Sequence, residues 1–175
     1  VWVEKEALTG IIRTACSKWQ LSFFACKGYP SQSSMHEAAQ RHVSHQENGK
    51  NVVVLHMGDH DPSGIDMTRD IEDRLKLFGS ECEVRRIALN MDQINEFNPP
   101  PNPAKMTDSR ASDYIHEFGN SSWELDALTP DQLNSLINIQ IDEIYDHNVW
   151  ADSCENEKMS QDRIRQIANN YDEIC

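Results

Sequence analysis

The residues most able to do chemistry stand together in Gly58-Asp59-His60-Asp61-Pro62-Ser63-Gly64. Asp59 and Asp61 are two apart, so in extended geometry both carboxylates point the same way. Two carboxylates aimed together repel and call for a hard cation between them. Mg²⁺ (or Mn²⁺) prefers such an all-oxygen shell, and an open acidic cluster suits phosphoryl-transfer chemistry. His60 lies between the two, and alternation turns it away from them, toward packing or hydrogen bonding. Asp61 followed by Pro62 is also a good helix N-cap with proline at the first helical position. The local pattern leaves both uses of Asp61 open, because D-x-D alone is a weak motif.

The elements around this turn decide what it can meet. Asn51 to Met57 (NVVVLHM) is apolar on both faces, as in a parallel strand covered on two sides. Its C-terminal end is where α/β sheets place their ligands. Val1-Trp2-Val3 predicts a short buried strand ending at Glu4. C-terminal strand ends share one edge of a parallel sheet, so Glu4 can reach Asp59 and Asp61 across the sequence. On local pattern alone, an ordinary first-turn acid favoured by the helix dipole explains Glu4 better. Leu21 to Cys26 (LSFFAC) and Val84 to Leu89 (VRRIAL) predict two more strands. Helices are predicted over 6–19, from a Ser34/Glu37 capping box to about His45, and over 65–78. Strands alternating with helices give an α/β fold, a small parallel Rossmann-like sheet flanked by helices.

After Leu89 the pattern changes. Asn98 to Pro103 (NPPPNP) reads as a loop or internal linker. A short helix is predicted over 110–118 and a short strand over 123–125. Thr129-Pro130-Asp131-Gln132 starts a helix, and a last polar helix runs from about Glu155 to Tyr171. The expected organisation is an α/β domain over 1–128 and a helical C-terminal extension over 129–175 packed on it.

Composition narrows the function. The 175 residues carry 16 Lys+Arg against 29 Asp+Glu, a formal charge of -13. So acidic a chain does not hold nucleic acid by bulk electrostatics; contact with DNA needs a local basic surface or a bound cation. No apolar run approaches a membrane span, and no signal peptide is visible, so no membrane role is expected. Five cysteines without a C-x-x-C pair argue against a zinc ribbon or a disulfide scaffold and fit a reducing cytoplasm. They read as small buried hydrophobes or free thiols.

Strand, Glu4, helix, then an apolar strand ending in Asp59-x-Asp61-Pro-Ser-Gly resembles the TOPRIM domain. That domain is shared by type IA and type II topoisomerases, topoisomerase VI, bacterial primases and overcoming-lysogenisation-defect nucleases. GDHDPSGID is most similar to the topoisomerase VI A subunit and its meiotic double-strand-break relatives. It also resembles phage and bacterial TOPRIM proteins with a downstream SWELDAL segment. The resemblance covers about residues 1–90 and extends more loosely to about 128. It implies that Glu4 is a general acid/base or metal ligand and that Asp59 and Asp61 hold Mg²⁺ or Mn²⁺. It implies DNA as partner, with nuclease- or topoisomerase-like phosphodiester chemistry. In topoisomerase VI-like proteins the nucleophilic tyrosine lies in an upstream winged-helix domain, so a larger protein or a partner subunit is expected. Tyr29, Tyr114, Tyr145 and Tyr171 match no nucleophile motif.

Secondary candidates follow. Glu124 and Asp126 in SWELDAL are also two apart and could extend the acidic site to a second metal; a strand end and helix approach explains them as well. Lys105, Arg110 and Ser31 could meet phosphates; a solvated loop and helix capping are the bland alternatives. The functional alternative is a metal- or phosphate-binding regulatory or recognition module without turnover of its own.

Overall fold

The first strand, β1 (Trp2–Val3), is only two residues long, yet it pairs on both sides. The computed structural model describes residues 1–171, so Cys175 lies outside the described residues. After a 3₁₀ turn at Glu6–Leu8 come α1 (Thr9–Lys18), β2 (Phe24–Ala25), α2 (Gln32–Glu47), β3 (Val53–Met57), α3 (Pro62–Leu77) and β4 (Glu83–Ala88). All four strands are parallel, in the order β2-β1-β3-β4. Trp2 stands between Phe24 and His56, and Val3 between Ala25 and Met57.

This order has a functional consequence. From β1 the chain first moves outward to β2, then crosses back to β3 on the other side of β1. The direction of winding reverses between β1 and β3. The crevice beyond their C-terminal ends is the topological switch point, where open α/β sheets bind ligands. Glu4 follows β1, and Gly58 and Asp59 follow β3.

One face of the sheet packs on α2 and α3. Trp2 and Val54 meet Met35, Ala38 and Ala39 of α2 and Met67, Ile71 and Leu75 of α3. The helical residues recur at three- and four-residue intervals, so each helix turns one apolar stripe to the sheet. Burying an Ile or Leu side chain stabilises by about 1.5–3 kcal/mol, which makes this layer the rigid backing of the site.

Several boundaries differ from the sequence expectations. The second strand is shorter than 21–26. Ser31, not Ser34, caps α2, its Oγ accepting from Ser34 N–H at 3.1 Å, so that helix starts earlier. The segment after Leu89 is more ordered than its prolines suggest. It holds α4 (Met91–Phe97), capped by a reciprocal Asn90–Gln93 box that the sequence reading missed. The proline-rich segment contributes β5 (Asn102–Pro103), which pairs antiparallel with β6 (Ser121–Ser122). Proline is tolerated there because the ladder is two-stranded and all edge. Between them lies α5 (Ala111–Phe118). The expected strand at 123–125 is instead a single bridge, Trp123 to His60, followed by a 3₁₀ turn at Leu125–Ala127. The helix α6 (Pro130–Ile144) opens as expected, with Thr129 and Gln132 capping each other. The last helix, α7 (His147–Asn169), starts earlier than 155.

The chain forms two compact units, residues 1–138 and the part from Ile139 onward, dividing within α6. Cys16, Cys26, Cys82 and Cys154 are free thiols, the first two buried. Among the described residues no helix is long and apolar enough to cross a membrane.

Candidate functional site at the strand ends

The turn from Gly58 to Gly64 is built to bring acids close. Its two glycines make room. A Cβ on Gly58 would stand 2.9 Å from Glu4 Oε2, and one on Gly64 would collide with the Asp59 carbonyl. Glu4 leaves β1 with its N–H donating to Met57 O at 2.9 Å, which locks it beside β3. Its Oε2 then accepts from the Asp59 N–H at 2.9 Å. Residues 55 apart in sequence thus share one hydrogen bond at the switch point.

Asp59 is nearly buried, at 8 % exposure. Its Oδ1 accepts from Leu125 N–H at 2.8 Å, and its Oδ2 lies 3.3 Å from Lys5 Nζ. Asp61 caps α3, its Oδ1 accepting from Gly64 N–H at 2.7 Å and from Ser63 Oγ at 3.1 Å. Burial, and then the nearby charges of Asp59 and Asp61, hold the Glu4 carboxyl above the usual carboxylate range. Burial likewise raises Asp59, against the opposing pull of the Leu125 amide and Lys5.

Glu124 and Asp126 reach the same edge, but they meet a lysine. Lys5 Nζ donates to Glu124 Oε2 at 2.9 Å and to Asp126 Oδ1 at 3.0 Å. Burial alone would lower the Lys5 pKa; these hydrogen bonds and the Asp59 charge outweigh it and hold the ammonium firmly protonated. Lys5 therefore acts as an internal counter-ion joining the SWELDAL segment to Asp59.

A second cation lies beneath the turn. The Arg86 guanidinium donates to the carbonyls of Gly58, Asp59, Gly64 and Leu89 and to Thr68 Oγ1. Burial lowers its pKa to about 10, and the charges of Glu4, Asp59 and Asp61 oppose that shift. The sequence reading missed Arg86 and Lys5. Arg86 left a signal: in β4 it alternates with Val84 and Ala88, and an arginine on the same face as those apolar residues requires partners. Lys5 left none, since a lysine after a strand is commonplace.

The remaining candidates have other partners or are exposed. Ser31 caps α2. Arg110 is committed to Asp66 at 2.8 Å and to Asp108 at 2.8 Å, and also contacts the Tyr29 hydroxyl. Lys105 is exposed on the loop before α5. His60 packs as expected: its ring is buried against Tyr114, Phe118 and Trp123, with Nδ1 2.8 Å from the Tyr114 hydroxyl. Burial drives its pKa down to about 4, so it is a neutral packing group.

The donor chemistry of Glu4, Asp59 and Asp61, three hard carboxylates at one strand edge, fits a divalent cation such as Mg²⁺. Glu4 Oε1 and Asp61 Oδ2 accept no hydrogen bond from the described residues. As they stand, no three Asp, Glu, His or Cys side chains among the described residues are spaced to hold one ion together. Glu124 and Asp126 are spoken for by Lys5. Neither the protein-family models nor the curated proteins compared with the chain include a match to it.

Proposed function

We propose that the chain is the metal-dependent, TOPRIM-like part of a larger DNA-processing protein acting on phosphodiesters by cleavage or by breakage and rejoining. The observation that carries this reading is the Glu4–Asp59 hydrogen bond at the topological switch point, with Asp61 two residues further on. Glu4, Asp59 and Asp61 would hold Mg²⁺ or Mn²⁺. The cation would supply neutralising charge for phosphate oxygens and a lowered pKa for bound water. Glu4, whose pKa is raised, is suited to hold or release a proton at Oε1. The Lys5 ammonium places fixed positive charge beside Asp59 in an otherwise acidic chain, where a phosphate must be admitted. Lys105 offers an exposed cation for the nucleic-acid backbone. An upstream winged-helix domain or partner subunit would supply a nucleophilic tyrosine, and the cytoplasm is the compartment this chemistry fits.

The test is nicking of supercoiled plasmid DNA by the full-length protein with Mg²⁺, Mn²⁺ or EDTA. Asp59→Asn and Glu4→Gln should abolish a metal-dependent activity. Undiminished nicking by the Asp59→Asn, Asp61→Asn double variant would sink the reading. Thermal unfolding of the chain adds a second measure. A cation at a hundredfold excess over Kd stabilises by about 2.7 kcal/mol, or roughly 5–10 °C in Tm.

One observation favours a second reading, a binding module without turnover: Lys5 already pairs with Asp59, Glu124 and Asp126. Tight Mn²⁺ binding with no nicking by the full-length protein would select it.

A further inference from the structure

We propose that Arg86 is a positioning residue, one that acts by gripping the backbone of the Gly58–Gly64 turn and so fixes where Glu4, Asp59 and Asp61 stand; its link to metal binding rests on the reading above. Side-chain guanidinium groups usually meet carboxylates. This one meets carbonyls instead. Nη2 donates to Gly58 O at 3.0 Å, to Asp59 O at 2.7 Å and to Leu89 O at 3.2 Å. Nη1 donates to Gly64 O at 2.8 Å and to Thr68 Oγ1 at 3.1 Å. The two ends of the acid-bearing turn are thereby tied to one rigid plane rooted in β4. Asp61 capping α3, Gly58 N–H donating to Ala88 O at 2.8 Å, Leu89 N–H donating to Gly58 O at 2.8 Å and the His60–Trp123 bridge each hold one point of the turn, whereas the guanidinium joins its two ends.

The geometry around Gly58 shows how tight this grip is. A Cβ there would meet Glu4 Oε2, His56 Cε1 and Arg86 Nη1 together, at 2.9, 3.2 and 3.3 Å. The glutamate, the turn and the arginine therefore converge on one point with no slack. Arg86 Nε is buried without a partner, a polar atom left unsatisfied while the fork serves the turn. A lysine cannot replace this arrangement. Its ammonium is a point donor and cannot span carbonyls from residues 58 to 64 in a fixed plane.

The test compares wild type with Arg86→Lys by amide hydrogen exchange and by Mn²⁺ titration calorimetry. In Arg86→Lys the Asp59 and Gly64 amides should exchange at least tenfold faster, while amides in the middle of α2 keep their wild-type rates. Mn²⁺ affinity should fall at least tenfold, with helical content unchanged. A purely structural role would slow or speed exchange across the whole unit together. A folded Arg86→Lys chain whose turn amides exchange at the wild-type rate overturns the proposal. If wild type binds no Mn²⁺, the metal reading fails while the exchange data still decide the role of Arg86. If Arg86→Lys does not fold, wild-type ¹⁵N spectra decide. Separate, slowly rotating Nη1 and Nη2 signals for Arg86 support the grip, and a single averaged signal overturns it.

Discussion

Between Gly58 and Gly64 the chain buries Asp59 and gives each of its carboxylate oxygens a fixed partner, whereas α7 carries its charges with no buried residue at all over 23 positions. The turn uses Arg86, Lys5 and the Leu125 amide as fixed partners. In α7 the ion pair Arg165–Asp162, at 3.3 Å, is exposed on both sides and is worth little. The same residue types therefore have different consequences. In water, a carboxylate is solvated whichever way it points. At the strand ends its direction is set, because solvent is replaced by a few protein dipoles and charges. Sensitivity to substitution should follow this wiring and not the count of charges.

The largest effect should come from Arg86→Met. It leaves the Gly58, Asp59, Gly64 and Leu89 carbonyls without their donor and removes the positive charge beneath Asp59. A loss of about 3 kcal/mol in urea unfolding is expected, as for breaking a buried ionic network. A loss below about 1 kcal/mol would put the turn on the same footing as α7.

Gly64→Ala should come next, at about 2–3 kcal/mol, because the new methyl meets the Asp59 backbone and not a flexible side-chain end. The same denaturant curves measure it. A near-neutral result would mean that the turn can shift, contrary to a wired site.

Acid should loosen this unit through two buried histidines. His56, pushed down to about 3 by burial and the Arg86 charge, and His60, pushed down to about 4 mainly by burial, are neutral in the folded chain. Both folded pKa values lie below the unfolded value near 6.5, so the unfolded state binds more protons between them. The stability is fully present above pH 6.5. It is lost as pH falls toward 4, by up to about 1.4 kcal/mol per pH unit for each histidine. Glu4 and Asp59, with raised pKa values, oppose the trend at its acid end, where they take up protons more readily when folded. Urea midpoints across pH 5 to 7 check the slope, and His60→Phe should flatten part of it.

Glu4→Gln is a subtler probe. The amide oxygen still accepts from Asp59 N–H, and one repelling charge is gone. At pH 7 the variant should melt no lower than wild type in EDTA, and its Tm should respond less to Mn²⁺. A clear drop in EDTA would show that the Glu4 charge itself is structural. The smallest effects belong to α7: Asp152→Ala or Glu155→Ala should change stability by less than about 0.5 kcal/mol.

Patterns carried by long stretches of sequence were legible. The apolar run at 51–57 announced β3 and, with Gly58 to Gly64 behind it, the edge where the acids gather. The Thr129-Pro130 cap announced α6. Alternating elements announced an α/β fold with a parallel sheet. His60 could be set aside from the ligands by alternation alone. The strands β5 and β6 were not legible, because two residues define no period, and the prolines beside β5 argue for loop until a partner strand is known.

What the sequence by itself determined is which chemistry could occur: two aspartates flanked by glycines at a strand end, and a glutamate after another strand. Only tertiary structure decided who stands beside them. It set β1 next to β3, so that Glu4 bonds to Asp59, and it turned Glu124 and Asp126 toward Lys5. It also placed Arg86 under the turn, and it kept Arg110 with Asp66 and Asp108. Most of these partnerships join residues far apart in sequence, from 22 positions between Arg86 and Gly64 to 121 between Lys5 and Asp126. Local spacing carries no record of such choices, because they are made by packing: the sheet order fixes which strand ends are neighbours, and burial then forces every remaining charge to find a partner.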